Sequence, residues 1–370
     1  GDVQNIGLTD VTFTASIDGK WDDTKTEVIG LEIADDGITY IVSSPAALQA
    51  WATEVQSNLT LNCTLAADID LTGTEWTPIP NFAGTFDGNG KTITGLTINQ
   101  SAMDNVGLFA SIEDEGMVKN LKLDKVNVTA NSNVGAVVGQ NRGTIENCSV
   151  SGSVTGLSYN SFVGGIAGLH ARGSITDCHS SATVTGKAYV GGIAGQSSAI
   201  VGTTTITACY STGSITATNN SDYYSYAGGV VGLNNNGAIL TACYATGNVK
   251  GDGHYVGGVV GDNVYGTITA CYHATGSVTG EQESIGGVVG RNYADPYGGS
   301  STVTACYWDN NQSSGIGEDQ TGNGEAQKVY GDWTDAVSKM NTALADYDWL
   351  WSLDTTNPDA LPTPVKKVTN

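Results

Sequence analysis

A glycine-rich hexapeptide recurs through the middle of the chain at a nearly constant interval. It runs small or apolar, Gly, small, apolar, small or apolar, Gly. Its six copies are Val134–Gly139, Val163–Gly168, Val190–Gly195, Ala227–Gly232, Val256–Gly261 and Ile285–Gly290. A weaker copy begins at Val106, and successive first glycines lie 28, 29, 27, 37, 29 and 29 residues apart. A fixed period in this range is typical of stacked, quasi-one-dimensional architectures.

Each repeat contains three short runs rich in Val, Ile and Thr. In one copy they are Val163–Ala167, Ser174–Cys178 and Thr183–Thr185, separated by Gly and polar residues. Such runs predict strands, because they are short and β-branched and lack helical periodicity. Three strands and three turns in one period describe a coil that rises ~4.8 Å along a parallel sheet. The sequence therefore predicts an all-β fold, a parallel β-helix (β-solenoid) of about seven three-strand coils with short helical caps.

Six of the seven cysteines recur once per coil. They are Cys148, Cys178, Cys209, Cys243, Cys271 and Cys306. A metal site would need Cys or His clustered within a few residues, and a disulfide would need thiols that face each other. Stacked equivalents point in parallel, so we predict a buried ladder of small apolar thiols. Cys271 has one residue more than its equivalents before the next valine, which predicts a bulge.

The chain is acidic, with a formal charge of −22. The net charge is −12 over residues 1–106, −4 over 107–308 and −6 over 309–370. The nearly neutral repeats lack the basic stripe that phosphate binding requires, so nucleic acid is excluded as a partner. They also lack an Asp at a fixed place in every coil, which excludes calcium binding in each turn. No hydrophobic stretch is long enough to span a membrane.

The two ends differ from the repeats. All seven tryptophans lie at or beyond the ends of the repeats, at positions 21, 51, 76, 308, 333, 349 and 351. Large aromatic side chains there predict caps that close the open core. Ser44 and Pro45 before Ala46–Val55 predict a capped helix, and Thr334–Ala345 has helical spacing. Trp349–Leu353 predicts a short strand.

Four regions follow from these patterns. Residues 1–37 form an N-terminal strand region or small module, and residues 38–106 an N-terminal cap with the first coil. Residues 107–310 form the solenoid repeats, and residues 311–370 a C-terminal cap with one helix.

The repeats resemble the GLUG repeat of large bacterial surface and secreted proteins. The resemblance rests on Val163–Gly168 followed by Ile175 and Cys178, and on an upstream lead-in. The lead-in segments are Asn62–Leu71, Trp76–Ile79 and Phe82–Gly90. Similar proteins of gut Bacteroides-type organisms include adhesin-like surface lipoproteins. The resemblance implies a cell-surface or extracellular protein, with lipid anchoring through a removed N-terminal segment as one option.

Some metallopeptidases that cleave immunoglobulin A also carry such repeats. Their zinc motif, His-Glu-x-x-His, is absent here, because none of the four histidines is followed by Glu. They are His170, His179, His254 and His273. The resemblance therefore supplies no catalytic residue, and we expect neither an enzyme nor a cofactor.

Tyrosines predict two aromatic columns along the solenoid. The first aromatic column directly follows the cysteines and comprises Tyr210, Tyr244, Tyr272 and Tyr307, with Ser149 and His179 at the earlier equivalent positions. The second aromatic column precedes the glycine motif and comprises Phe162, Tyr189, Tyr226 and Tyr255. Because neighbouring residues face inward, strand alternation points these rings outward. They are candidate ligand-binding residues for a glycan or a partner protein, or a ladder that only stabilises the sheet.

Insertions mark further candidates, because solenoid insertions tend to lie on functional faces. Ten residues stand between Gly195 and Ile206 and twelve between Gly290 and Val303, and the loop Ala217–Ser225 is also long. Four carboxylates occupy equivalent loops of three successive coils and are weak calcium candidates. They are Asp222, Asp252, Glu281 and Glu283.

Three functions compete. The first is a non-enzymatic binding or adhesion protein that presents an aromatic face to a glycan or to a host or other extracellular protein. The second is a β-helix polysaccharide lyase or hydrolase, which needs carboxylates or basic residues converging on one groove. The repeats offer few. Asp262 and Arg291 follow the last glycine of adjacent coils, where an ion pair between rungs is the simpler explanation, and Asp177 with Arg172 is the other close pair. The third is a structural spacer.

Overall fold

The chain folds into a parallel β-solenoid of about eight turns, as the sequence predicts. The computed structural model describes residues 30–218, 225–281, 284–295, 300–357 and 359–368. Three sheets run along the solenoid, and most turns contribute strands to each of them. The predicted fold class is confirmed.

The first sheet has eleven strands. Its order along the solenoid follows the chain, and its strands are parallel except for the first, which pairs antiparallel with the second. The strands are Leu31–Ile33, Thr39–Val42, Asn62–Leu65, Thr85–Asp87, Met117–Lys119, Thr144–Glu146, Gly173–Thr176, Thr204–Thr207, Ile239–Thr241, Thr267–Thr269 and Thr302–Thr304.

The second sheet is bent, so most turns contribute two or three short strands to it. These strands are Ile69–Asp70, Thr92–Thr94, Thr97–Val106, Lys122–Val134, Ser149–Gly156, Phe162–Gly164, His179–Ser180, Thr183–Gly186, Tyr189–Gly191, Tyr210–Ser211, Ile215–Ala217, Tyr226–Gly228, Tyr244–Ala245, Val249–Gly251, Tyr255–Gly257, Tyr272–Ala274, Val278–Gly280, Ser284–Gly286, Cys306–Asp309 and Ala326–Lys328. Both aromatic columns lie on this sheet.

The third sheet has eight parallel strands. They are Phe109–Ile112, Val138–Asn141, Ala167–His170, Ala194–Ser198, Val231–Asn235, Val260–Val264, Val289–Tyr293 and Ile316–Asp319. A separate antiparallel hairpin pairs Trp349–Ser352 with Thr363–Lys366. Two helices, Pro45–Glu54 and Thr334–Ala343, complete the described part of the chain.

The glycine motif forms a corner, which differs from the predicted single strand. The run Val163–Ala167 is divided between Phe162–Gly164 and Ala167–His170, on two different sheets. A side chain on Gly164 would overlap the carbonyl oxygen of Ala167. Only glycine permits this close approach of two backbone segments, so the motif recurs because every turn makes the same corner.

The cysteines form the predicted buried ladder. All seven are free and buried. The backbone N–H of Cys178 donates to Sγ of Cys209 at 3.4 Å, and three further pairs of successive ladder cysteines repeat this contact. Burial raises the pKa of the Cys178 thiol well above its ordinary value. The thiols are therefore packing residues rather than nucleophiles or metal ligands.

The bulge predicted after Cys271 is present. Ala245 and His273 are in register, and so are Val249 and Val278, so the later coil holds one extra residue between them. Thr275 lies in that interval with φ of 67°. A single left-handed residue absorbs the extra length, and the pairing on both sides is kept.

Aromatic side chains close both ends of the solenoid core. The first helix begins as predicted, since Oγ of Ser44 accepts from the backbone N–H of Ala47 at 3.1 Å. Its Trp51 is fully buried and packs on Phe82 and Phe86, with ring centroids 5.9 and 5.3 Å apart. At the other end the core contains the buried indole of Trp308.

The remaining end segments differ only slightly from expectation. The second helix ends at Ala343 instead of Ala345, and the hairpin strand Trp349–Ser352 ends one residue before the predicted strand does. Most of the strand region predicted over residues 1–37 lies outside the described residues, apart from Leu31–Ile33. The four domain boundaries stay a prediction.

Candidate functional site

The first aromatic column is a regular stack. Successive coils hold Tyr210, Tyr244, Tyr272 and Tyr307 in register, and His179 precedes them. Ring centroids are 4.8 Å apart for His179 and Tyr210, 4.8 Å for Tyr210 and Tyr244, and 5.0 Å for Tyr244 and Tyr272. The planes differ by at most 10°. The ring faces contact one another, so a ligand would meet only ring edges along the column.

The chain's own C-terminal segment (residues 329–357 and 359–366) covers this column. Tyr244, Tyr272 and Tyr307 are buried with the second helix and the hairpin in a hydrophobic cluster separate from the solenoid core. The Tyr272 hydroxyl donates to the carbonyl of Pro362 at 2.6 Å. The rings of Trp333 and Trp351 pack on Tyr272 with centroids 4.7 and 5.2 Å away. The expectation that these three tyrosines present a platform to a ligand is therefore wrong, because their surface is already occupied.

The same segment explains a change of residue type beside the column. The residue before each ladder cysteine has a left-handed backbone, with φ between 50° and 53°. It is Asn147 and Asp177 in the early coils, residue types that tolerate this conformation. In the later coils it is alanine, at Ala208, Ala242, Ala270 and Ala305. The C-terminal segment packs on these alanines, and Nε1 of Trp351 donates to the carbonyl of Ala270 at 2.9 Å. Alanine accepts backbone strain there because a larger polar side chain would hold the segment away.

Trp351→Ala is expected to release the C-terminal segment and leave the solenoid folded. The indole is almost fully buried, and removing one costs about 3–5 kcal/mol. Limited proteolysis should cut the variant within residues 329–366, while circular dichroism still reports the solenoid. Tyr330→Ala, at an 85% exposed ring of the same segment, is the matched control. A Trp351→Ala chain as resistant as the parent would contradict this docking.

The second aromatic column remains partly accessible. Its rings are spaced at 4.7 Å for Phe162 and Tyr189, 4.9 Å for Tyr189 and Tyr226, and 5.5 Å for Tyr226 and Tyr255. Tyr226 is buried and the other three are half-buried. Burial raises the pKa of the Tyr189 and Tyr226 hydroxyls, so these groups stay protonated at neutral pH. This column keeps its place as a candidate contact surface.

The Asp262 and Arg291 side chains form the ion pair expected between rungs. Nε and Nη2 of Arg291 donate to the two carboxylate oxygens of Asp262 at 3.0 and 2.6 Å. Nη1 donates to the Tyr255 hydroxyl at 3.0 Å. Burial raises the pKa of Asp262, and the hydrogen bonds from Arg291 oppose that shift. Both carboxylate oxygens are engaged, so this pair supports the fold and not acid–base chemistry.

The insertion after Gly195 borders a groove on the third sheet, here called the insertion groove. Its volume is about 510 Å³. It is lined by Glu113, Asp114, Gln140, Arg142, Leu169, Ala171, Arg172, Gln196, Ser198, Ile200 and Val201. Ile200 is 77% exposed and Val201 64% exposed, although both are large and apolar. The sequence pointed to this insertion by its length alone, and the structure identifies the residues that it presents.

Charged residues of both signs flank the insertion groove. Nη1 of Arg142 pairs with Glu113 at 3.0 Å, and Arg172 pairs with Asp114. The guanidinium of Arg172, which is close to Asp177 in the sequence, is therefore held by Asp114 of an earlier coil. The groove adjoins the second aromatic column, since Gly195, next to Gln196 of the groove, lies against the backbone of Phe162.

The other predicted sites are only partly described. Residues 219–224 of the loop 217–225 and residues 296–299 of the later insertion lie outside the described residues. Of the four calcium candidates, Asp222 and Glu283 lie outside them too. Glu281 is exposed, and Asp252 pairs with Lys250 at 3.2 Å. Within the described ranges no three His, Cys, Asp or Glu side chains converge on a metal position. The calcium hypothesis stays a prediction.

Family comparison agrees with the geometry of the repeats. Residues 130–155, 159–185 and 223–250 match the GLUG motif. The chain contains GLUG repeats. Each GLUG segment contains one copy of the glycine motif and one ladder cysteine, namely Cys148, Cys178 or Cys243.

Two relatives match part of the chain. Halomucin of Haloquadratum walsbyi is 40% identical over 91 residues, which are 25% of this chain and 1% of that protein. A protein named as a candidate Gly-rich membrane protein of Evansella cellulosilytica is 41% identical over 99 residues. That match covers 23% of this chain and 12% of the relative. The GLUG-repeat chain therefore spans only a small part of the length of these relatives.

A solved structure shares the architecture. It is the crystal structure of a candidate immunoglobulin A1 protease from Bacteroides ovatus, with a TM-score of 0.53. The match covers 92% of this chain and 95% of that one at 17% identity. At this identity the likeness shows the fold alone. Neither helix in the described part of the chain is long and apolar enough to cross a membrane.

Proposed function

We propose that this GLUG-repeat chain is a non-enzymatic binding protein of the cell surface or extracellular space that holds an extracellular protein in its insertion groove. The observation that carries the proposal is the exposure of Ile200 and Val201 beside that groove. Two adjacent, large apolar side chains on an insertion lose contact with water only when a partner covers them. Shorter connections close the neighbouring coils, so the solenoid itself does not need this insertion.

The charges of the groove favour a protein over a uniformly charged polymer. Arg142 with Glu113 and Arg172 with Asp114 place both signs side by side. A partner of matching chemistry carries both signs and an apolar residue between them, which a polypeptide supplies. Nucleic acid would meet the two carboxylates with its phosphates, and the overall charge of −22 repels it.

Three observations support binding without catalysis. The buried carboxylate of Asp262 is held by Arg291 through two hydrogen bonds. The zinc motif of the immunoglobulin A peptidases is absent from the whole sequence. The likeness to a candidate protease concerns the fold at 17% identity. A surface location draws support from the GLUG repeats and from the membrane relative, and an upstream lipid anchor is part of the same proposal.

An Ile200→Ser/Val201→Ser chain is expected to bind its protein partner at least about tenfold more weakly than the parent, because apolar contacts at the centre of an interface dominate affinity. Both chains would be tested by biolayer interferometry against immobilised mucin, collagen, fibronectin and immunoglobulin. Val368→Ser, at an 89% exposed residue, is the matched control. All three chains should melt at the same temperature, because the substituted side chains are exposed.

A glycan array run with the same chains separates the alternatives. Protein binding that is lost in the double variant and kept in Val368→Ser supports the proposal. Protein binding that survives the double substitution contradicts the assigned site. If no protein on the panel binds, and glycan binding is unaffected by the substitution, the proposed partner class is overturned. If neither a protein nor a glycan binds, the spacer role is favoured.

A further inference from the structure

The first aromatic column stops abruptly at His179. The residue in register with it on the preceding coil is Ser149, and Lys122 is in register with Ser149. Neither side chain has a ring. One imidazole face contacts Tyr210, and the column offers no ring for the opposite face. The stack therefore lacks a member at the level of Ser149.

A hollow of about 310 Å³ occupies this position, here called the imidazole hollow. It is lined by Thr92, Lys122, Leu123, Asp124, Ser149, Val150, Ser151, His179 and Ser181. Its volume lies at the lower end of the range for small-molecule sites, about 300–1,000 Å³. The C-terminal segment covers the other end of the column, at Tyr272, and leaves His179 half-buried.

The imidazole presents a neutral, rigid face to the hollow. It lies 4.8 Å from Tyr210 with only 3° between the planes. Burial and the nearby Lys122 ammonium both lower the pKa of His179, so the ring is uncharged at neutral pH. A flat group at the level of Ser149 would continue the stack at the spacing that the column already has. Different flat groups can stack on the face of such a ring, because the contact is apolar.

The rim of the hollow is polar. The hydroxyl of Ser151 donates to Oδ1 of Asp124 at 2.5 Å. The hydroxyl of Ser149 and the ammonium of Lys122 line the same space. A carboxylate accepts from hydroxyls, serine donates and accepts, and an ammonium pairs with an anion. A pyranose ring fits this set, since it has an apolar C–H face and hydroxyls around its edge.

We propose that the imidazole hollow is a subsite for one pyranose residue of an acidic glycan. The sugar stacks on His179, its hydroxyls meet Asp124 and Ser149, and its carboxylate meets Lys122. This site lies on a different sheet from the insertion groove, and the inference does not depend on the protein-binding function proposed above.

The test follows the imidazole signals of His179 by NMR during titration with methyl β-glucuronide. A saturable shift is expected for the parent. Ser149→Tyr should weaken binding at least about tenfold, because its ring fills the hollow and extends the stack. Thr144→Tyr places the same ring at a half-buried position of the first sheet and should bind like the parent. Thermal melting shows that both variants are folded.

Two further probes examine the chemistry of the rim. Methyl β-glucoside lacks the carboxylate and should bind several-fold more weakly than the glucuronide, a difference that Lys122→Met removes. Benzoate carries a flat ring and a carboxylate without hydroxyls and should bind more weakly still. An absent His179 shift, an equal shift in folded Ser149→Tyr, or equal binding of benzoate would overturn the sugar subsite. Equal binding of glucoside and glucuronide would overturn its preference for an acidic sugar.

Discussion

A Gly257→Ala chain is expected to lose about 4 kcal/mol or more of its free energy of unfolding. Gly257 lies at the corner between the second and third sheets. An added Cβ would overlap the carbonyl oxygen of Val260 and lie 2.7 Å from the backbone nitrogen of Gly290. Both neighbours are backbone atoms held in parallel ladders, so neither can rotate away as a side chain would.

The expected loss of stability comes from steric overlap and not from backbone conformation. The backbone of Gly257 does not have a positive φ, so alanine meets no left-handed strain there. Gly237 is the matched control, because it has φ of 82° and open space around its Cβ position. Gly237→Ala should lose only about 1 kcal/mol, from left-handed strain alone. Urea unfolding followed by circular dichroism measures both. Similar losses for the two variants would contradict the corner geometry, and equal damage from Gly228→Ala, at the same place one coil earlier, would confirm that it repeats.

The solenoid could be predicted from the sequence because its determinants repeat. A glycine corner and an inward cysteine recur from coil to coil, an outward ring recurs in most coils, and the copies reinforce one signal. The sequence does not predict that Val163–Ala167 is divided between two strands. The composition of an apolar run that contains two glycines is the same whether the run is one strand or a corner between two. The corner depends on backbone contact between neighbouring coils, which a single repeat does not reveal.

The covering of the first aromatic column could not be predicted in the same way. Trp351 contacts Ala270 and Tyr272 contacts Pro362 across 81 and 90 residues of sequence. No periodic pattern links positions so far apart when one partner occurs only once. One signal was present, because the left-handed position before the cysteine changes from Asn147 and Asp177 to alanine. Alanine is unfavourable in that conformation, and this indicates that another segment covers those coils.

Acid is expected to destabilise the protein well above the range in which carboxylates titrate. Two histidines in the third and second sheets, His170 and His273, are fully buried, and burial lowers the pKa of each to about 4. In the unfolded chain each titrates near its ordinary value of 6.5. Because the folded pKa is the lower one, the stability is complete above pH 6.5 and falls as pH drops towards 4. The loss reaches about 3 kcal/mol for each histidine.

The hydrogen bonds show why a second proton is excluded. In His170 the amide nitrogen of Asn141 lies 3.1 Å from Nδ1, and Nε2 lies 3.1 Å from the carbonyl of Thr205. In His273 the amide nitrogen of Asn310 lies 2.9 Å from Nδ1, and Nε2 lies 3.0 Å from the carbonyl of Gly247. Each neutral ring therefore accepts at Nδ1 and donates at Nε2, with no acceptor left for a further proton.

The free energy of unfolding, measured with urea at pH 7.5 and 4.5, separates the contribution of the two buried histidines from that of the carboxylates. Hydrogen bonds from Thr72 and Thr356 lower the pKa of Asp70 and Asp354 below 3.8, so their contribution is lost only in stronger acid. The double variant His170→Gln/His273→Gln keeps a donor towards each carbonyl but cannot be protonated. It should lose most of the difference in stability between the two pH values, whereas His179→Gln, at a half-buried ring, should keep most of it. A parent chain equally stable at both pH values would show that the buried imidazoles accept protons without unfolding, which their amide and carbonyl partners oppose.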